Sequence, residues 1–183
     1  EIEMALELLY SSGTIRENIT VLHCNTEYPT PLEDVNLRAM INIGKKFDVS
    51  IGYSDHTCGI EVPLMAVALG ASIIEKHCTL DRRGGGPDDS FSLEPDELKK
   101  LCKDSKTAWE SLGKANYEIK KSEQQNLIFR RSLYVVQDIK SGEIITQENV
   151  KIIRPGYGLA PKFIEQVMGR MVLRDINRGE PLS

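Results

Sequence analysis

Ser72-Ile73-Ile74-Glu75-Lys76-His77 is an apolar run that ends in three chemistry-bearing side chains, and its place in the chain decides the fold. Two similar runs precede it, Ile19-Thr20-Val21-Leu22-His23-Cys24 and Val49-Ser50-Ile51-Gly52-Tyr53. Each is short and rich in β-branched residues, as a buried strand should be. Between them lie two helical segments. Residues 35–46 carry apolar side chains at helical spacing behind Asp34, a candidate N-cap. Residues 60–70 form a compact helix stopped by Gly70. After the third run come a Gly-rich loop at 82–87 and an amphipathic helix at 95–112, with Asp96 and Glu97 in its first turn and Gly113 beyond its end. Strand, loop, helix, strand is the order of parallel βα units whose helices cover the sheet. The strands begin near 19, 49 and 72, which leaves room for three such units and a leading helix, not for eight.

Beyond Tyr117 the texture changes. A polar linker at 120–129 separates residues 1–119 from a β-rich domain at 130–183. That domain holds short runs at 132–137, 149–153 and 171–176, divided by Ser141-Gly142, Pro155-Gly156 and Arg178-Gly179. Charge divides in the same place. Residues 1–119 carry 12 Lys/Arg against 20 Asp/Glu, and residues 120–183 carry 11 against 7, so the two parts have opposite net charge. Over 183 residues, 40% hydrophobic and 27% charged residues exclude collagen-like and wholly disordered chains. A net charge of −4 argues against nucleic acid as a partner. The longest apolar stretch, near residues 62–69, is far shorter than the roughly 20 residues of a membrane span. The chain opens inside a helical pattern, with Ile2, Leu6 and Leu9 on one face and no initiator Met, which is expected of a fragment lacking its N-terminal part. Cys24, Cys58, Cys78 and Cys102 form no CxxC pair, so they are expected to be small buried hydrophobes in a reducing cytoplasm.

Two histidines stand at equivalent places. His56 lies three residues beyond Tyr53, and His77 closes the next strand, 21 residues on. The C-terminal strand ends of a parallel barrel converge on one site, so the two imidazoles can share a ligand such as a catalytic divalent ion. Each also has an ordinary reading as a loop or core residue. Strand alternation sets Glu75 on the side of His77, where a carboxylate is costly unless paired or functional. Lys76 faces the other way and is expected to snorkel between helices. Gly84-Gly85-Gly86-Pro87-Asp88 reads as a substrate loop or a mere connector, with Asp88 able to accept hydrogen bonds from sugar hydroxyls and Asp89 not separable from it by pattern. Arg154 leaves a strand of the small domain and suits an anionic or polar ligand, or a surface turn. Tyr28, beside Pro29, is equally a packing residue.

Taken together these segments resemble the sialic acid synthase family. The resemblance rests on His23-Cys24-Asn25-Thr26-Glu27-Tyr28-Pro29-Thr30-Pro31, Gly52-Tyr53-Ser54-Asp55-His56-Thr57, Glu75-Lys76-His77, Gly86-Pro87-Asp88 and Ser92-Leu93-Glu94-Pro95. The tail, with Arg131-Ser132-Leu133 and Arg154-Pro155-Gly156, is similar to that family's antifreeze-like (SAF) domain. Cys78 departs from the pattern, since an aromatic is usual there.

The resemblance implies an α/β fold: the C-terminal part of a TIM (β/α)8 barrel, followed by a SAF domain. It implies a synthase of the transferase class that condenses phosphoenolpyruvate with an N-acetylated amino sugar, giving a nine-carbon 2-keto sugar acid and phosphate. His56 and His77 match ligands of a divalent metal, manganese first, with magnesium or cobalt as alternatives. Ser54 and Thr26 match the phosphoenolpyruvate side, and Tyr28 and Asp88 match contacts to the amino sugar. Glu75 matches an acidic residue of the same pocket, and Arg154 an arginine that enters the partner's barrel in a domain-swapped homodimer. The lysines that hold phosphoenolpyruvate belong to earlier barrel strands, so the segment alone is expected to be inactive. The variant Glu27-Tyr28-Pro29-Thr30-Pro31 leans towards neuraminate or legionaminate. The rival readings are a non-catalytic remnant that binds carbohydrate or dimerises through its SAF domain, and another metal-dependent aldol-type barrel enzyme.

Overall fold

Three parallel strands form at the three apolar runs: β1 (Thr20–Cys24), β2 (Ser50–Asp55) and β3 (Ile73–Lys76), in the sheet order β1-β2-β3. Parallel neighbours need crossover connections, and helices supply them. After a leading α1 (Ile2–Ser11), α2 (Leu37–Phe47) joins β1 to β2, α3 (Glu61–Ala68) joins β2 to β3, and α4 (Pro95–Leu112) follows β3. This computed structural model describes all 183 residues, in two units, Glu1–Ala115 and Asn116–Ser183.

Register decides which side chains meet. Along β1–β2, His23 lies beside Tyr53 and Cys24 beside Ser54. Along β2–β3, Ser54 lies beside Glu75 and Asp55 beside Lys76. Alternation sends Ile51, Tyr53 and Ile74 towards the helices, where Tyr53 and Met40 are fully buried among Val35, Val62, Ala66 and Ala71. Burying a side chain the size of Met40 contributes about 1.5–3 kcal/mol. A second cluster of Ile60, Leu93 and Leu101, with Ile74 and Leu98 against it, seats α4. Gly52 allows a close approach, because a Cβ there would lie 2.7 Å from the carbonyl oxygen of Ile73.

The helix at Pro95–Leu112 has the bounds expected from its pattern, with Pro95 in its first turn and a capping box between Glu94 and Glu97. The start of α2 differs. Asp34 closes a short 3₁₀ turn, Leu32–Asp34, and α2 begins after Asn36, whose φ of 47° turns the chain into the helix. Asn tolerates that left-handed conformation better than most residues. The cysteines also differ from expectation, since all four are exposed. Cys24 sits at the end of β1, level with Ser54 on the sheet face away from the helices.

In the second unit, residues Lys121–Phe129 form a run of 3₁₀ turns. β4 (Ser132–Val135) pairs antiparallel with β5 (Val150–Ile153), and a short α5 (Ile164–Val167) follows. The third apolar run makes only single bridges, Met171 to Ile144 and Ile176 to Ile139. It still supplies the core, where Val172 and Ile176 join Leu133, Val135, Ile139, Ile145, Val150 and Leu182. No helix is long and apolar enough to cross a membrane.

Candidate metal and substrate site

β2 ends at Asp55 and β3 at Lys76, so His56 and His77 are the first residues beyond two neighbouring strand ends. Their rings lie 5.1 Å apart, edge to face. His56 is buried, and its Nδ1 is 2.7 Å from the carbonyl oxygen of Asn25. A carbonyl can only accept, so Nδ1 carries a proton, which leaves Nε2 as the ring nitrogen able to offer a lone pair. The backbone around His56 is pinned as well, because its carbonyl accepts the Thr30 N–H at 2.9 Å. His77 is held similarly. Its carbonyl accepts the Leu93 N–H at 3.0 Å, and its Nδ1 faces Asp88 Oδ2 at 3.4 Å.

Aromatic rings wall the pair. Tyr28 stands 4.1 Å from His56 and 5.8 Å from His77, and Phe91 stands 5.2 Å from His77. On the same face Ser54 Oγ donates to Glu75 Oε1 at 2.7 Å, so the carboxylate has a partner. Thr26 lies exposed in the loop after β1. Arg154 belongs to the second unit, exposed just past β5, where Ser132 Oγ donates to the Pro155 carbonyl at 2.7 Å and fixes the turn. The first unit therefore gathers Tyr28, His56, His77 and Asp88 directly, with Ser54 and Glu75 beside them one strand step back.

Against the expectation from its place in the strand, Lys76 does not snorkel between helices but is buried in an ion pair. Its ammonium donates to Asp55 Oδ2 at 2.6 Å and to the Thr57 carbonyl at 2.5 Å, and the two charged side chains are 3% and 0% exposed. Asp55 Oδ1 accepts the Thr57 N–H at 2.9 Å. Burial, and then the nearby Asp55 carboxylate, push the Tyr53 phenol far above its ordinary pKa and keep it neutral. Sequence pattern placed Lys76 on the helix side, but nothing in one strand reveals a partner on the next. Phe91 and Asn25 were also missed as site residues. The wall and the carbonyl they provide come from loop conformation, for which the sequence holds no spacing signal.

The NeuB family model matches residues 1–117, and the SAF domain model matches residues 130–183. The chain belongs to the NeuB family. N,N'-diacetyllegionaminic acid synthase of Campylobacter jejuni is 45% identical over 181 residues, covering 98% of this chain and 54% of that protein. A pseudaminic acid synthase of Campylobacter jejuni is 42% identical over 91% of this chain and 48% of its own length. The crystal structure of the N-acetylneuraminic acid synthetase of Leptospira borgpetersenii, in complex with citrate, matches 70% of this chain and 44% of its own with a TM-score of 0.62 at 41% identity. The chain spans about half the length of the curated relatives it matches.

A divalent metal held by this NeuB-family chain would need imidazole lone pairs aimed at a common point. The Asn25 carbonyl leaves Nε2 of His56 free to serve as such a donor, and Asp88 beside Nδ1 favours the same tautomer in His77. No third His, Cys, Asp or Glu completes a metal-holding group. Two imidazoles would leave the other positions of such an ion open, unlike a closed structural centre.

Proposed function

We propose that this chain provides the metal-facing and sugar-facing part of a nonulosonate synthase, a transferase that joins phosphoenolpyruvate to an N-acetylated amino sugar. The sugar is N-acetylmannosamine or a 2,4-diacetamido relative, and the products are a nine-carbon 2-keto sugar acid and phosphate. The observation that carries this reading is the facing pair His56 and His77, with Nδ1 of His56 committed to a carbonyl. It is supported by the synthase names of relatives over nearly the whole of this chain.

In the reaction, carbon 3 of phosphoenolpyruvate bonds to the aldehyde carbon of the sugar, water adds at carbon 2, and the C–O bond to phosphate breaks. A manganese, magnesium or cobalt ion held by Nε2 of His56 and His77 would supply Lewis acidity towards the aldehyde oxygen. Asp88 steadies the His77 ring and reaches towards sugar hydroxyls. Tyr28 and Phe91 present ring faces to the apolar side of the sugar and exclude water. Glu75, oriented by Ser54, offers Oε2 as a proton acceptor beside the reacting groups. Ser54 and Thr26 serve the phosphoenolpyruvate side. Arg154 of the SAF domain binds the sugar in the partner's site of a domain-swapped homodimer. The enzyme works in the cytoplasm. This chain spans about half the length of the curated relatives it matches, so turnover is assayed with the other half supplied.

The test is metal-dependent phosphate release from phosphoenolpyruvate plus amino sugar, using this chain joined to the N-terminal half of a NeuB-family relative. His56→Ala and His77→Ala should each abolish release. Release at the unsubstituted rate in either variant overturns the ligand assignment.

A further inference from the structure

Behind the two histidines, on the helix side of the sheet, lies a buried charge pair that the proposed chemistry does not use. We infer that Asp55 and Lys76 are positioning residues that hold His56 and His77 side by side, edge to face. This rests on the reading that the two imidazoles act together. Asp55 directly precedes His56, and Lys76 directly precedes His77. Asp55 and Lys76 are also the last register partners of β2 and β3. Past them no ladder hydrogen bond ties the two strands, so the ion pair at 2.6 Å is the final cross-strand link before the histidines.

The pair also clamps the turn that carries His56. Lys76 Nζ takes the Thr57 carbonyl at 2.5 Å while Asp55 Oδ1 takes the Thr57 N–H at 2.9 Å. Both chain neighbours of His56 are thereby fixed to the end of β3. The imidazoles follow directly on these two strand ends, so the separation of the strand ends that carry them depends on a contact that neither ring makes. Stability alone is a weak reason for such a pair, because apolar replacements of similar volume often fold equally well.

The test uses the full chain with Asp55→Asn/Lys76→Met, which leaves no unpaired charge, beside the single variant Lys76→Met. Two readouts are taken: long-range 1H–15N spectra of the three histidine rings, and titration with Mn2+ or Co2+. In the folded double variant, the His56 Nδ1–H signature should be lost and both His56 and His77 should show more than one ring environment. His23, bonded through Nε2 to the Val35 carbonyl, serves as the reference. Metal Kd should rise about 10–100-fold. Unchanged His56 and His77 spectra in the folded double variant would overturn the inference. If the unsubstituted chain binds neither metal, the metal reading fails by itself, and the ring spectra still decide the positioning role.

Discussion

Removing the Lys76 ammonium should be among the most damaging single changes to the first unit. In Lys76→Met, Asp55 keeps the Thr57 N–H on Oδ1 but has no partner for Oδ2, and its side chain is 0% exposed. The Thr57 carbonyl loses its lysine donor as well. Breaking a buried pair from one side costs about 3–5 kcal/mol, because a charge stays desolvated and uncompensated. Against a total of about 5–15 kcal/mol for a domain, that is a large share. With a urea dependence of about 2 kcal/mol per molar, the midpoint should fall by about 2 M. Trp109 is the one tryptophan of the chain and lies in α4, so its fluorescence reports unfolding of the first unit. Asp55→Asn/Lys76→Met should recover most of the loss, to within about 1 kcal/mol of the unsubstituted chain, since neither charge remains. A midpoint drop below about 0.5 M for the single variant would refute the reasoning. So would a double variant as unstable as the sum of the two singles, because contacting residues should not be additive.

Gly52→Ala should destabilise the same unit by about 1–3 kcal/mol, since its Cβ would meet the Ile73 carbonyl oxygen at 2.7 Å; amide exchange in β3 should rise, and unchanged protection there would count against the close approach. Leu133→Ala, at a fully buried core position of the second unit, should cost about 2–5 kcal/mol by denaturant unfolding, with a smaller loss indicating that the cavity collapses. The Lys140 ammonium first, and then the Ser141 N–H at 2.9 Å, hold the Asp175 carboxyl below its ordinary pKa. Its folded pKa is depressed, so its contribution is present above the unfolded value of about 4 and is lost as pH falls through the folded one. Stability of the second unit followed against pH should therefore fall below about 4, with a flatter profile in Asp175→Asn; an identical profile in that variant would exclude this carboxylate as a source.

The three strands and α4 were legible from the sequence because their signals are local: apolar runs of strand length, and Glu94, Pro95 and Glu97 at the helix start. Asp34 misled because a preferred capping residue says nothing about the left-handed turn at Asn36 that places the true start of α2. Equivalent places after successive strands set His56 and His77 side by side, and alternation gives Glu75 its face. Partners on the next strand were not found, because register is a tertiary choice. That limit explains the reading of Lys76, whose partner Asp55 lies on the neighbouring strand, while the place of Asp88 at the His77 ring comes from loop conformation.

Register also gives the Asp55–Lys76 pair a meaning that one strand cannot show. Ser54-Asp55-His56 and Glu75-Lys76-His77 run side by side, so the partners Ser54 with Glu75 and Asp55 with Lys76 occupy consecutive positions on opposite faces. Sliding β3 by one residue would turn Lys76 towards the imidazoles and leave Asp55 charged and alone among Tyr53 and its apolar neighbours. The buried ion pair thus penalises the slipped pairing far more than it stabilises the correct one. A charge pair hidden on the helix side fits this segment for that reason: it selects the one register that sets His56 and His77 side by side beyond neighbouring strand ends.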